Sequence, residues 1–103
     1  MYKQNRIGVV VLAYNVEGFL KNTVEELPAF IDRIYIVDDY SLDNTSHVAR
    51  ALCDSKVVLI QHDKNRGPGA AMLTGCKAAL AAYNYLHDIE NKYVAEWTTH
   101  KHE

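Results

Sequence analysis

The chain has 103 residues and a mass of 11.7 kDa, so it holds one domain at most. Half of it is apolar (49%) and 23% is charged, the profile of a folded globular chain and not of a disordered or fibrous one. Eleven Lys and Arg against thirteen Asp and Glu leave a formal charge of −2, which gives no electrostatic footprint for nucleic acid or an anionic membrane.

The first element is the run Ile7-Gly8-Val9-Val10-Val11-Leu12-Ala13. It is continuous, apolar and β-branched, as a strand buried on both faces of a parallel sheet would be. It is too short to span a bilayer. No small-residue cleavage site accompanies it, so no signal peptide is expected. Tyr14 and Asn15 end the strand, with Asn15 read as the N-cap of a helix. That helix carries Val16, Phe19, Leu20, Val24 and Leu27 at helical spacing and stops near Pro28.

Arg33 to Asp38 reads as the second strand, left through Asp39, Tyr40 and Ser41. Asp43-Asn44-Thr45-Ser46 offers several caps for a short helix through Leu52. Lys56 to Gln61 is the third strand, followed by a polar loop from His62 to Gly69. Met72, Leu73, Cys76, Ala79, Leu80, Tyr83 and Leu86 then recur at helical spacing in an alanine-rich stretch, which predicts a long helix. The segment Tyr93-Val94-Ala95-Glu96-Trp97 reads either as a fourth strand or as more helix, within a divergent tail spanning residues 87–103.

Strands alternating with helices predict βαβ units and a parallel sheet, with ligands bound beyond the carboxyl ends of the strands. Those ends carry Tyr14-Asn15 and Asp38-Asp39. Consecutive strand side chains point to opposite faces, so one acid can face a ligand while the other holds the turn. Equally, both acids shape the turn together with Ser41, Asp43 and Asn44. Tyr14 either stacks on a planar ring or packs on its own loop. Asn65-Arg66-Gly67-Pro68-Gly69 opens a helix, where exposed N–H groups favour anions. It is neither a Walker loop nor, after strand one, a dinucleotide fingerprint. His100-x-His102-Glu103 is read as a solvated tail in preference to a metal trap. Cys53 and Cys76 do not form a disulfide framework; they fit a reducing cytoplasm and are expected to be small core residues.

Three segments taken together are more specific than any one of them. Val9-Val10-Val11-Leu12-Ala13-Tyr14-Asn15-x-Glu17 resembles the opening of inverting family 2 glycosyltransferases. Ile36-Val37-Asp38-Asp39-Tyr40-Ser41-Leu42-Asp43-Asn44-Thr45 is similar to that family's V-D-D-x-S-x-D-x-T segment. Asn65-x-Gly67-x-Gly69-x-Ala71-x-x-x-Gly75 is similar to its N-x-G-x-G-x-A-x-x-x-G segment. The likeness covers roughly residues 6 to 82, and among subgroups it is greatest to the polyprenyl-phosphate (dolichol-phosphate mannose-like) sugar transferases.

The resemblance implies an α/β fold, a three-layer Rossmann-like (GT-A type), mostly parallel sheet, here truncated to the nucleotide-sugar-binding half in a single domain over 1–103. It implies that Ala13, Tyr14 and Glu17 line the nucleotide pocket. Asp39 would accept a hydrogen bond from the base, Asp38 and Ser41 would support the loop, and Gly67 and Gly69 would let the third loop approach the nucleotide. The donor would be a UDP- or GDP-sugar, with Mg²⁺ or Mn²⁺ on the diphosphate in the parent family. The family's Asp-x-Asp metal motif does not occur after Asp39, and Thr98-Thr99-His100 stands where it belongs if Tyr93–Trp97 is the fourth strand. No catalytic or metal-binding residue is therefore assigned. Three readings follow: an incomplete sugar transferase, a nucleotide-binding module without chemistry, or an interaction domain. A homodimer is expected from the sheet edge and from an apolar stripe on the long helix, including Leu80, Tyr83 and Leu86.

Overall fold

The computed structural model of the chain describes residues 6–86 and 91–96. The elements run β1 (Arg6–Ala13), α1 (Leu20–Glu25), β2 (Arg33–Asp38), α2 (Thr45–Leu52), β3 (Val57–Gln61), α3 (Pro68–Leu86) and β4 (Asn91–Glu96). Among the described residues the strands form one four-stranded sheet in the order β3-β2-β1-β4. Every pairing is parallel. The order runs outward from β1 to β3 and then returns to the other side of β1, so strand order reverses at β1. Of the two readings of Tyr93–Trp97, the structure has the strand, paired with β1 from Arg6↔Asn91 to Val11↔Glu96. Trp97, His100, His102 and Glu103 lie outside the described residues.

Alternation of side chains across the sheet divides the core in two. Val9, Val11, Ala13, Ile34 and Ile36 face α1 and α2, where they meet Val16, Leu20, Val24 and Ala49. Val10, Leu12, Tyr35 and Val37 face the other way and meet Ala71 and Ala79 of α3. Apolar runs on β1 and β2 are thus required on both faces, which is why neither strand alternates with polar residues. The three layers are α1 with α2, the sheet, and α3.

The most buried contacts between α3 and the sheet are made by small residues, with the half-buried Met72 packed beside them. A Cβ built on buried Gly75 would press into Val10, 3.0 Å from its Cγ2 and closer still to Cγ1. Glycine there lets the helix axis approach β1. Leu73, Cys76 and Leu80 of α3 lie elsewhere and are exposed. Helical spacing alone groups Met72, Leu73, Cys76 and Leu80 with Ala79; the close approach at Gly75 selects Ala71 and Ala79 for the buried face.

Two further expectations are corrected. Cys53 and Cys76 are both exposed free thiols and not core residues. Cys53 is the C-cap of α2, and Cys76 lies off the sheet-facing side of α3. The first helix is shorter than predicted and starts at Leu20, because residues 14–19 are spent on a loop. Asn15 does not cap that helix. It has φ +53°, and its side chain turns to a different loop.

Candidate functional site

The site is the carboxyl end of the sheet, where three loops leave β1, β2 and β3. The β1 loop (residues 14–19) and the β2 loop (residues 39–44) are knitted by reciprocal hydrogen bonds. Asn15 N donates to Ser41 Oγ at 3.0 Å, Val16 N to Thr45 Oγ1 at 2.8 Å, and Glu17 N to Asp43 Oδ2 at 3.3 Å. In return Leu42 N donates to Asn15 Oδ1 at 2.8 Å and Asn44 N to Glu17 Oε1 at 3.0 Å. The S-x-D-x-T spacing thus has a physical meaning in this chain. Ser41, Asp43 and Thr45 present oxygens, at a period of two, to three successive N–H groups of the other loop. Thr45 is fully buried, so its bond removes what would otherwise be a costly buried donor at Val16.

Asp43 also works locally. It accepts from Thr45 N at 2.9 Å and from the Thr45 hydroxyl, and so caps α2 one residue ahead of Asn44, whose own side chain makes no capping bond. Burial pushes its carboxyl up, but the Thr45 hydroxyl and the N–H groups of Thr45 and Glu17 outweigh that and hold it below the usual carboxylate range.

The two adjacent acids divide their work. Asp38 is 2% exposed and Asp39 is 4% exposed, a burial that carboxylates tolerate only when well bonded. Asp38 Oδ1 accepts from Ser41 N at 3.1 Å and Ser41 Oγ at 2.6 Å, and Oδ2 lies 3.4 Å from Gln61 Nε2. Asp39 points to the third loop. Its Oδ1 accepts from Arg66 N at 2.8 Å and lies 2.8 Å from His62 Nδ1; its Oδ2 accepts from Gly67 N at 2.9 Å. Asp38 therefore closes its own turn, whereas Asp39 anchors the loop between β3 and α3.

Gly67 has φ +92°, a backbone conformation that side chains rarely adopt, so glycine is needed there for Gly67 N to reach Asp39. Gly69 differs: its φ is not in that region, and a Cβ would meet nothing within 4 Å. The fold itself places no demand for glycine at 69. Tyr40, like Asn15, is a non-glycine residue with positive φ (+62°), and these two are such residues among those described. Both lie just beyond strand ends at this site, where stored backbone strain commonly accompanies a functional loop.

Of the residues singled out from sequence, Ala13 is buried, and its carbonyl accepts from Asp39 N at 3.0 Å. Tyr14 is exposed at the start of the β1 loop, and Glu17 is exposed with Oε1 on Asn44 N. Asp38, Asp39, Ser41 and Gly67 are joined by the bonds above. Sequence reasoning missed the inter-loop roles of Asn15, Asp43 and Thr45, and missed His62 and Thr74 altogether. Asp43 and Thr45 were signalled by the motif spacing. His62 and Thr74 carry no pattern that isolates them.

Among the described residues no three His, Cys, Asp or Glu side chains converge as metal ligands would. These residues do not fit a resident divalent metal on their own. No described helix is long and apolar enough to cross a membrane.

Comparison with known proteins agrees with this geometry. The family model described as Glycosyl transferase family 2 matches residues 8–88, which include all three loops. The chain is similar to a UDP-N-acetylglucosamine–dolichyl-phosphate N-acetylglucosaminyltransferase of Methanococcus voltae, 36% identical over 88 residues, covering 71% of this chain and 35% of that protein. It is similar to a human dolichyl-phosphate beta-glucosyltransferase, 35% identical over 85 residues, covering 68% of this chain and 26% of that one. Among solved structures it resembles the mannosyltransferase PcManGT of Pyrobaculum calidifontis in complex with GDP-Man and Mn²⁺, with TM-score 0.63 and 21% identity over 75% of this chain and 25% of that one. At that identity the likeness speaks for the fold, which is of the GT-A type. The chain spans about a third or less of the length of each of these relatives. With a family match across most of its residues and the family's three loop segments interlocked at one end of the sheet, the chain belongs to glycosyl transferase family 2.

Proposed function

We propose that the carboxyl end of this sheet binds the nucleotide of a UDP- or GDP-sugar, as the donor half of a glycosyltransferase acting on a polyprenyl-phosphate type of acceptor. The observation that carries the reading is the convergence of three loops held by Asp39 and by the Ser41–Asp43–Thr45 clamp, at the end of a parallel sheet where such folds take ligands. Three features remain available to a ligand. Asp39 Oδ2 has one observed donor and keeps acceptor capacity for a base N–H. The exposed Tyr14 ring offers a face for stacking. Gly69, which the chain's own packing leaves open, lets a ligand approach the first turn of α3, whose N–H groups favour phosphate.

Two relatives carry dolichyl-phosphate in their names, and the structural neighbour is a mannosyltransferase in complex with GDP-Man and Mn²⁺. We extend to this chain the nucleotide sugar and, in the full reaction, Mg²⁺ or Mn²⁺. We place the protein in the cytoplasm and expect a homodimer, for which the exposed Leu73 and Leu80 of α3 provide apolar surface. Light scattering after size exclusion tests the dimer; a mass near 11.7 kDa at high concentration refutes it.

Titration calorimetry with UDP, GDP and their sugars tests the central reading, and absence of binding by all of them refutes it. Incubation with sugar nucleotides, a polyprenyl phosphate and Mn²⁺ then separates enzyme from module. Binding without released nucleotide diphosphate favours a nucleotide-binding module that does no chemistry unaided. Turnover favours the transferase.

A further inference from the structure

His62 is a buried titratable side chain at the site that the proposed function does not use. Its ring is 7% exposed and lies between two partners on different elements. Nδ1 is 2.8 Å from Asp39 Oδ1, and Nε2 is 2.7 Å from Thr74 Oγ1 on α3. His62 N also donates to Asp38 O at 2.9 Å, which fixes the start of the loop beside the end of β2.

The partners determine the direction of each bond. Asp39 already faces the Arg66 and Gly67 N–H groups with its two oxygens, which is the pattern of an acceptor-only carboxylate. A carboxylate is a weaker base than an imidazole, so the shared hydrogen resides on Nδ1. In the neutral ring Nε2 is then the acceptor, and the Thr74 hydroxyl donates to it. A threonine hydroxyl rotates to suit its partner, so the same three groups also fit an imidazolium, with Nε2–H donating to Thr74 Oγ1. In either state Nδ1–H points at Asp39.

We propose that His62 is a positioning residue of the nucleotide site. Held by Thr74, it donates from Nδ1 to Asp39, fixes the carboxylate plane, and so keeps both carboxylate oxygens aimed at the Arg66 and Gly67 N–H groups. The loop 62–67 and the first turn of α3 then stand in place before the nucleotide arrives. The proposal rests on the nucleotide reading for its ligand, and on the Asp39–His62–Thr74 chain for its mechanism. An oriented acceptor is what a base N–H needs, and a loop ordered in advance does not lose that freedom on binding.

The test uses the full chain and four variants, with UDP and GDP as probes. An asparagine amide at 62 can bring its N–H close to where Nδ1 lies, whereas a glutamine amide reaches toward the position of Nε2. His62→Ala is expected to weaken nucleotide binding by about tenfold or more, the scale of a lost hydrogen bond to a charged group. His62→Asn is expected to restore most of that loss and His62→Gln little of it. Thr74→Val keeps the shape, removes the hydroxyl, and is expected to weaken binding less than His62→Ala. In ¹⁵N-NMR the His62 ring should show hydrogen on Nδ1, and Thr74→Val should shift the Nε2 signal. Amide exchange at Arg66 and Gly67 should be faster in His62→Ala and slow again in His62→Asn. Unchanged affinity in His62→Ala, equal rescue by Asn and Gln, or a neutral ring carrying its hydrogen on Nε2 overturns the proposal. If the parent chain binds neither UDP nor GDP, the nucleotide reading fails. Exchange at Arg66 and Gly67 then decides the positioning role by itself: faster in His62→Ala supports it, and unchanged overturns it. If His62→Ala does not fold, His62→Asn and His62→Gln take its place: tighter binding and slower exchange in the Asn variant support the proposal, and equality of the two overturns it.

Discussion

Asp39→Asn separates the anchoring role of this acid from any direct contact with a ligand. The substitution keeps the shape of the side chain but replaces one oxygen by an NH₂ group. At present Oδ1 faces Arg66 N and His62 Nδ1, and Oδ2 faces Gly67 N. With the amide oxygen in the Oδ1 position, NH₂ meets Gly67 N, donor against donor. With the amide flipped, NH₂ meets Arg66 N and the His62 ring. The first arrangement loses one charge-assisted bond and weakens the other two. Hydrogen bonds to a charged group are worth about 1.5–3 kcal/mol each, and water can reach the exposed Arg66 side of the loop, so the net cost is about 2–4 kcal/mol. That is a large part of the roughly 5–15 kcal/mol that stabilises a domain. Urea unfolding followed by circular dichroism reads it: at an m-value of about 1–3 kcal/mol per M the midpoint should fall by about 0.7 M or more. A drop below about 0.5 kcal/mol, with nucleotide binding abolished, refutes the anchoring argument. It would mean that Asp39 serves the ligand and not the loop.

Gly75→Ala should destabilise by about 1–2 kcal/mol, because crowding against Val10 outweighs the gain of about 1 kcal/mol in helix propensity. The combination with Val10→Ala should recover part of the loss, and strict additivity in the unfolding midpoints refutes the close approach. Tyr40→Gly should leave stability unchanged or raise it by up to about 1 kcal/mol, since positive φ is relieved at an exposed position; a loss above about 1 kcal/mol in thermal unfolding refutes it. The Asp43 carboxyl lies below its ordinary range in the folded chain, so it contributes stability above the unfolded value near 4. That contribution is lost as pH falls from about 5 through the depressed folded value. Asp43→Asn should flatten this part of the urea midpoint against pH profile, and parallel profiles for parent and variant refute the assignment.

The order of elements was legible in the sequence because β1 and β2 are buried on both faces and so are written as unbroken apolar runs, a pattern that needs no partner to be recognised. The place of the loop cluster that forms the candidate site was legible for a similar reason. Polar residues that directly follow such runs stand at strand ends, and parallel sheets place ligands there. The division of labour among those residues was legible only in part. The family resemblance set Asp38 with Ser41 on the loop and Asp39 toward the base, but nothing local to the two acids shows that Asp39 anchors a loop 27 residues further on. Asn15 has the type of a helix N-cap, yet inter-loop bonds to Ser41, Asp43 and Thr45 compete with helix formation there and delay α1 to Leu20. Helical spacing identified α3 but not its buried face, which depends on how near the helix comes to β1. The pairing of His62 with Asp39 and Thr74 spans three elements that meet through the crossover connections of the sheet. Local pattern determines what a segment becomes; which groups share one hydrogen bond depends on long-range distances that only packing sets.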